Sequence, residues 1–253
     1  MIDTHCHLFL EYYPDLSNVL NKMQNNIMIV AGTNQKTNKE VIDMCKNYNN
    51  IYGVIGIHPE DIDEYKEEDL KFIEKNLNNP KIVGIGEIGL DYHFKDDNKD
   101  EQQKLFIKQI LLAEKYHKTL IIHSRDAIND TYQILSKYGL DLKKVLHCYS
   151  SSYEMAEKFI KMNCMLGIGG VLTFKNSQKL KEVVEKIDLK YLLLETDSPF
   201  LTPEPFRGQK NEPYNIIYIA QKISEIKKIP VENVVKSTTL NATNQFDLKV
   251  NLW

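Results

Sequence analysis

Eight short apolar, β-branched runs recur along the chain with charged, helix-like segments between them, and no other feature limits the possible folds so sharply. The runs are Met1 to Cys6, Ile27 to Ala31, Tyr52 to Ile57, Lys81 to Gly86, Thr119 to His123, Lys144 to Cys148, Cys164 to Gly169 and Tyr191 to Thr196. They follow one another at roughly 20 to 35 residues, the length occupied by a strand, a crossover helix and two loops. This alternation predicts parallel strands with helices outside. Eight units in 253 residues predict one (β/α)8 TIM barrel, a single domain over 1–253.

The helical segments are Leu16 to Asn25, Thr37 to Asn47, Glu67 to Asn76, Lys99 to Tyr116, Asp126 to Tyr138, Tyr153 to Met162 and Gln178 to Lys186. Apolar positions such as Leu105, Ile107, Ile110, Leu111 and Ala113 recur at helical spacing, as an outer layer requires. Beyond the eighth run, Asn215 to Ile226 and Val231 to Ser237 read as closing helices, with Pro230 at an N-terminal position. The charge-rich runs Asp61 to Asp69 and Lys95 to Glu101 read as loops or solvated faces.

Composition excludes several function classes. Hydrophobic content of 42% and charged content of 26% are ordinary for a globular protein. No apolar run approaches the roughly 18 residues of a membrane span, and no basic stretch followed by an apolar one opens the chain. The expectation is a cytoplasmic protein with no membrane association and no obligate protein partner, a monomer. Cys6, Cys45, Cys148 and Cys164 stand far apart with no Cys-x-x-Cys pair, which argues against a disulfide framework and a thiolate zinc knuckle. They are expected to be reduced and mostly buried. A net charge of -3 offers no broad basic surface for phosphate, so an anionic substrate needs a local positive site.

Barrel enzymes carry their chemistry at the carboxyl ends of the strands. Here the first run ends in His5 and His7, the fourth in Gly86-Glu87, the fifth in His123, the sixth in His147 and the eighth in Glu195-Thr196-Asp197. Taken singly, each has an ordinary explanation: His123 and His147 as satisfied core histidines, Glu87 as a helix-facing carboxylate, Asp197 as a helix cap. Jointly they do not, because an apolar strand ending in a buried ionisable group is costly unless the group is paired or metal-bound. His58 is a fifth strand-end histidine, whereas His93 and His117 have loop and helix contexts.

Four imidazoles with oxygen donors suit a borderline divalent ion such as Zn, Mn, Ni or Co better than a calcium cage. The donors are too many for one tetrahedral ion. Two ions sharing a carboxylate use the set well, and a pair roughly 3.5–4 Å apart can clamp the attacking and leaving oxygens of a displacement at phosphorus.

The ordered motifs Asp3-Thr4-His5-Cys6-His7, Gly56-Ile57-His58-Pro59, Gly84-Ile85-Gly86-Glu87-Ile88-Gly89-Leu90-Asp91-Tyr92, Ile122-His123-Ser124-Arg125, His147-Cys148-Tyr149-Ser150 and Leu194-Glu195-Thr196-Asp197-Ser198-Pro199 span nearly the whole chain. Together they resemble the TatD family of metal-dependent deoxyribonucleases, of the amidohydrolase-like superfamily. Arg207-Gly208-Gln209-Lys210-Asn211-Glu212-Pro213 is a further family-like stretch. The resemblance implies an amidohydrolase-type barrel, two divalent ions (Mg, Mn, Zn, Ni or Co) and phosphodiester hydrolysis on DNA, often from 3′ to 5′. By motif, His5, His7, Glu87 and Asp197 match the ligands of one ion, and Glu87, His123 and His147 those of the other. Two positions depart from the pattern: Glu60 follows His58-Pro59 where a second histidine is usual, and Ser151 replaces a glycine. Both bear on substrate preference more than on metal binding.

The corresponding mechanism is attack of water on a phosphodiester, with Asp197 accepting the proton and Glu87 as the second catalytic carboxylate. Arg125, Arg207 and His58 are the substrate-binding candidates, since a guanidinium presents a planar fork to paired oxygens. Arg125 has an alternative role as a structural partner of Asp91 or Glu195. The nearest rival reaction is ester or amide hydrolysis, including deacylation of a D-aminoacyl-tRNA. A rival of another class is a barrel that binds metal or nucleic acid without turnover. The acidic balance favours single-stranded or frayed DNA ends over duplex, with Tyr92, Tyr149, Phe174, Phe200 and Phe206 as stacking candidates.

Overall fold

The computed structural model describes residues 1–93 and 97–249. Eight strands alternate with helices: β1 Ile2–Cys6, β2 Ile27–Ala31, β3 Ile51–Ile55, β4 Ile82–Asp91, β5 Thr119–Arg125, β6 Lys144–Leu146, β7 Cys164–Ile168 and β8 Leu192–Leu194. The helices are α1 Ser17–Lys22, α2 Gln35–Asn47, α3 Glu67–Asn76, α4 Lys99–Tyr116, α5 Ile128–Leu135, α6 Tyr153–Ile160, α7 Gln178–Lys186, α8 Ile216–Lys227 and α9 Val231–Gln245. The strands form one sheet in the order β1 to β8. Cys6 at the end of β1 pairs in parallel with Ser198 just beyond β8, and the Thr4 hydroxyl donates to the Leu194 carbonyl at 3.0 Å. Sequential parallel order with the last strand returned to the first is the (β/α)8 fold expected from the eight apolar runs.

The chain divides into two compact units. The first comprises Met1–Val30, Cys148–Ile160 and Met165–Trp253, and the second Ala31–His147 with Lys161–Cys164. In the first, β1 pairs with β2, and β7 with β8. The core is aliphatic, built from residues such as Met28, Ile29, Leu166 and Leu193. In the second, β3, β4, β5 and β6 pair in parallel. Among the described residues no helix is long and apolar enough to cross a membrane. Cys6, Cys45 and Cys164 are buried, and among the described residues no disulfide joins the four cysteines.

Local chemistry explains where the elements begin and end. Asn34 caps α2 by accepting from the Thr37 amide at 3.1 Å, and the Thr37 hydroxyl accepts in return from the Asn34 amide at 3.0 Å. The run from Asp61 to Asp69, expected to be a loop or a solvated face, falls in a 3-10 turn and the first turn of α3. Asp61 lies in a 3-10 turn over Pro59–Glu64, and Asp69 accepts from the Lys66 amide at the start of α3. In the second charged run, Lys95 and Asp96 lie outside the described residues.

Three expectations about the helices need correction, and one about a strand. α5 starts at Ile128 rather than Asp126, because Asp126 takes a left-handed conformation with φ 53°. α9 continues to Gln245 instead of stopping at Ser237. There the β-branched Thr238 turns its hydroxyl back onto the Val234 carbonyl at 2.8 Å, which satisfies it inside the helix. On α4 the buried face is Gln102, Leu105, Phe106, Gln109, Ile110 and Ala113, with Leu111 exposed. The two buried glutamines clamp strand ends. The Gln109 amide exchanges hydrogen bonds with the backbone of Ile57 (2.8 and 3.0 Å), and Gln102 does the same with Asp91 (2.8 and 2.8 Å). Each amide thus takes the place of a missing neighbour strand.

β4 shows the largest departure. It does not end at Gly86 but runs on to Asp91. Ile85 pairs with Leu120 and Ile88 with Ile122, so β4 carries one extra residue across Gly86-Glu87. This bulge re-aims a side chain without ending the strand. Glycine is required there: a Cβ on Gly86 would stand 2.6 Å from the Ile121 Cβ. At Gly89, with φ 141°, a Cβ would meet the His123 carbonyl at 2.0 Å.

Candidate metal centre

The first unit gathers three expected ligands where β1 and β8 end. The His5 and His7 Nε2 atoms lie 3.2 Å apart, and Asp197 Oδ1 stands 3.4 Å from His7 Nε2 and 3.7 Å from His5 Nε2. His5 and His7 are buried. A bulge between Asp3 and Cys6 shifts β1 against β2 at this point, as the β4 bulge does at Glu87. Asp197 sits in a left-handed conformation, φ 55°. Its amide donates to the His5 carbonyl at 2.9 Å, which ties the carboxylate's strand end to the histidines' strand end.

Beneath these ligands lies Asp3, fully buried. It accepts from the Thr196 hydroxyl at 2.6 Å and from the Thr196 amide at 3.0 Å. Burial pushes its carboxyl up to about 8, against the lowering effect of these bonds. Sequence reasoning missed this role, although a strand's alternation places Asp3 on the face of His5 and His7. Glu195, which the strand-end pattern offered as a rim carboxylate, is instead fully buried and accepts from the Cys148 amide at 2.5 Å. Gly167 makes room for it, since a Cβ there would lie 2.1 Å from Glu195 Oε2.

The second unit builds a separate constellation around one oxygen of Glu87. Oε1 lies 3.0 Å from His123 Nδ1, 3.1 Å from His147 Nε2 and 3.5 Å from His58 Nε2. His123, His58 and Glu87 present donor atoms within 4.8 Å of one another. Asp91 Oδ2 holds His123 Nε2 at 2.8 Å, and the His93 amide donates to Asp91 Oδ1 at 2.9 Å. Burial opposes charge on His123, yet its bonds to Asp91 and Glu87 outweigh burial and raise it to about 9. Burial likewise opposes charge on Asp91, and the bonds from His123 and His93 hold it below the ordinary carboxylate range. A carboxylate behind a ligating imidazole fixes the ring and makes its other nitrogen a better donor.

His58 plays a different part. Its Nδ1 accepts from the Glu60 amide at 3.2 Å, so the neutral ring carries its proton on Nε2, the atom facing Glu87. A nitrogen bearing a proton donates hydrogen bonds and does not bind a cation. Arg125 is exposed at the end of β5 and helps keep Asp91 ionised. Arg207 is exposed, with its guanidinium 4.2 Å from the centroid of the Phe174 ring.

Each unit therefore holds one cluster of imidazole and carboxylate donors fit for a divalent cation. In the first, two histidine nitrogens and a carboxylate oxygen face one another with at most one proton per neutral ring to share. In the second, His123 and His147 converge on a single carboxylate oxygen.

The family model described as TatD related DNase matches residues 2–247. The chain belongs to this family. YabD of Bacillus subtilis, a metal-dependent hydrolase by its description, is 41% identical over 251 residues, covering 97% of this chain and 98% of YabD. YcfH of Escherichia coli, described in the same terms, is 32% identical over 98% of this chain and 96% of its own length. The crystal structure of YjjV, a TatD homologue from Escherichia coli, superposes with a TM-score of 0.93 at 29% identity over 98% of both chains. The TatD-type chain described here is a metal-dependent hydrolase, and its two donor clusters suit two divalent cations.

Proposed function

We propose that this TatD-family hydrolase cleaves phosphodiester bonds of DNA in the cytoplasm, as a monomer with residues 1–253 acting as one domain. It would remove nucleotides stepwise from the 3′ end of single-stranded or frayed DNA. The observation that carries the reading is the pair of histidine-carboxylate clusters at strand ends in a chain matched by a DNase family model. In this assignment His5, His7 and Asp197 would hold one ion, and Glu87, His123 and His147 the other. Bound divalent ions supply Lewis acidity to the phosphoryl group and acidify water. Asp197 accepts the proton of the attacking water, and the His58 Nε2–H donates to a phosphoryl oxygen. Arg125 and Arg207 pair with flanking phosphates.

The preference for unpaired ends draws on charge and on an exposed ring. With 35 acidic against 32 basic side chains, a net charge of -3, the chain has no overall positive charge to grip a duplex. Phe200 is 47% exposed, with its ring 6.0 Å from that of His7 and 5.6 Å from that of Tyr12, both edge-on. A base stacked there contributes about 1–3 kcal/mol. Phe200→Ala is therefore expected to raise KM for a single-stranded oligonucleotide by roughly 10-fold, and Phe200→Tyr to leave it near the wild-type value. Equal KM in wild type and Phe200→Ala would remove the ring from substrate binding.

The function itself is tested with end-labelled single strands, closed circular DNA and a panel of carboxylic esters including D-aminoacyl-tRNA, each with Mg, Mn or Zn. Stepwise release of mononucleotides from the 3′ end is expected. Nicking of the closed circle as fast as digestion of the single strand would overturn the exonuclease reading. Ester cleavage with DNA untouched would overturn the nuclease reading altogether.

A further inference from the structure

Of the stretch Arg207 to Pro213 only Arg207 has a role in the scheme above, and most of the side chains are exposed. Asn211 is not: it is fully buried. Its Nδ2 donates to the Thr196 carbonyl at 2.9 Å and to the Phe200 carbonyl at 2.7 Å. Its Oδ1 accepts from the Glu212 amide at 3.0 Å and from Asn215 Nδ2 at 2.9 Å. Its own amide donates to the Pro199 carbonyl at 3.0 Å, and its carbonyl accepts from the Tyr13 hydroxyl at 2.5 Å. Both donors and both acceptor positions of the side-chain amide are used, so only one orientation of the amide satisfies all four partners.

The residues it grips bracket Asp197. Thr196 precedes it, and Phe200 closes the turn by donating its amide to the Asp197 carbonyl at 2.8 Å. Asp197 itself is left-handed, φ 55°, a conformation unfavourable for most residues with a Cβ unless their surroundings hold it. The turn hydrogen bond alone leaves the buried Thr196 carbonyl and the partly buried Phe200 carbonyl in need of donors. The two N–H groups of one Asn211 amide supply them and join the entrance of the turn to its exit.

We propose that Asn211 is a positioning residue for the metal centre: it locks the turn 196–200 so that Asp197 Oδ1 stays opposite His5 and His7. The proposal rests on the assignment of Asp197 as a ligand. Asparagine is needed because aspartate, of the same size, would place carboxylate oxygen against two carbonyls at 2.7–2.9 Å. Alanine would leave both carbonyls without a donor. Neither change touches a ligand.

The test titrates the metal-free full-length protein with Mn2+ by calorimetry and with Co2+ by visible absorption, for wild type, Asn211→Asp, Asn215→Ala, Tyr13→Phe and Asp197→Ala. Asn211→Asp is expected to weaken Mn2+ binding by roughly 10- to 100-fold and to change the Co2+ band shape. Asn215→Ala, at a half-buried position where folding is not at risk, removes one donor to Asn211 Oδ1 and should weaken binding a few-fold in the same direction. Tyr13→Phe removes the bond to the Asn211 backbone and one to the Ser198 side chain while leaving the Asn211 amide on its two carbonyls; it should lower thermal stability and leave the Co2+ spectrum as in wild type. Wild-type affinity and spectrum in Asn211→Asp and Asn215→Ala, beside a loss in Asp197→Ala, would overturn the positioning role alone. Wild-type affinity in Asp197→Ala would overturn the ligand assignment and the proposal with it.

Discussion

Replacing Asp197 with asparagine is expected to lower hydrolysis by about 10³-fold or more while the protein stays folded, because in the proposed assignment one substitution removes both a ligand charge and the proton acceptor. A positioned general base contributes about 10²- to 10⁴-fold, and loss of a ligand compounds it. Asparagine is the informative choice. It keeps the size of the side chain and tolerates the left-handed backbone at φ 55°, so the fold and the turn to Phe200 should survive. Alanine at the same place adds backbone strain to the chemical loss. Elemental analysis and single-turnover rates separate the two contributions: reduced metal content with a proportional rate loss assigns Asp197 to binding alone, and a rate loss at full metal content assigns it to proton transfer. Unchanged turnover in a folded Asp197→Asn protein would remove it from the mechanism.

The residues proposed as ligands stand out in the sequence because each is an ionisable residue ending an apolar run, and burial makes such residues costly without a partner. Strand alternation also placed His5 and His7 on one face, and their nitrogens stand 3.2 Å apart. What holds the ligands was harder to read. Glu87 faces inward through a bulge in the middle of β4, whereas the run of glycines suggested that the strand stops at Gly86. A one-residue bulge leaves no mark in a hydrophobic pattern beyond the glycines that permit it. Gln102 and Gln109 carry no mark in the sequence, since nothing in a helical period reveals that an amide will replace a strand's missing partner. Asn211 is 14 residues after Asp197 in the chain, and only the fold brings its amide to the carbonyls on either side of that turn. The tautomer of His58 likewise depends on the Glu60 amide, a contact set by the 3-10 turn over Pro59–Glu64.

The second large effect concerns the protein stripped of metal, whose stability is expected to fall steeply as pH rises. His123 is raised from 6.5 to about 9 by Asp91 and Glu87 against the cost of burial. The stability it contributes is therefore fully present below pH 6.5 and is lost as pH climbs through about 9. Asp3 is raised from 3.8 to about 8 by burial. Its folded state also holds a proton that the unfolded chain has released, so it too withdraws stability as pH rises to about 8. Asp91, which is lowered, acts in acid and adds no slope here. Between pH 6.5 and 8 the first two have the same sign, each worth up to about 1.4 kcal/mol per pH unit. For a chain of this size that corresponds to a fall in Tm of at least about 3 °C per pH unit. Saturating Mn2+ should flatten or reverse the slope, because ligands bind a cation in their deprotonated forms and binding stabilises the folded state more at higher pH. Circular dichroism melts of EDTA-treated and Mn2+-loaded protein across pH 6 to 9 check both limbs, with His123→Asn expected to remove part of the slope. A metal-free Tm that is flat or rises over this range would show that neither Asp3 nor His123 carries the extra proton in the folded protein.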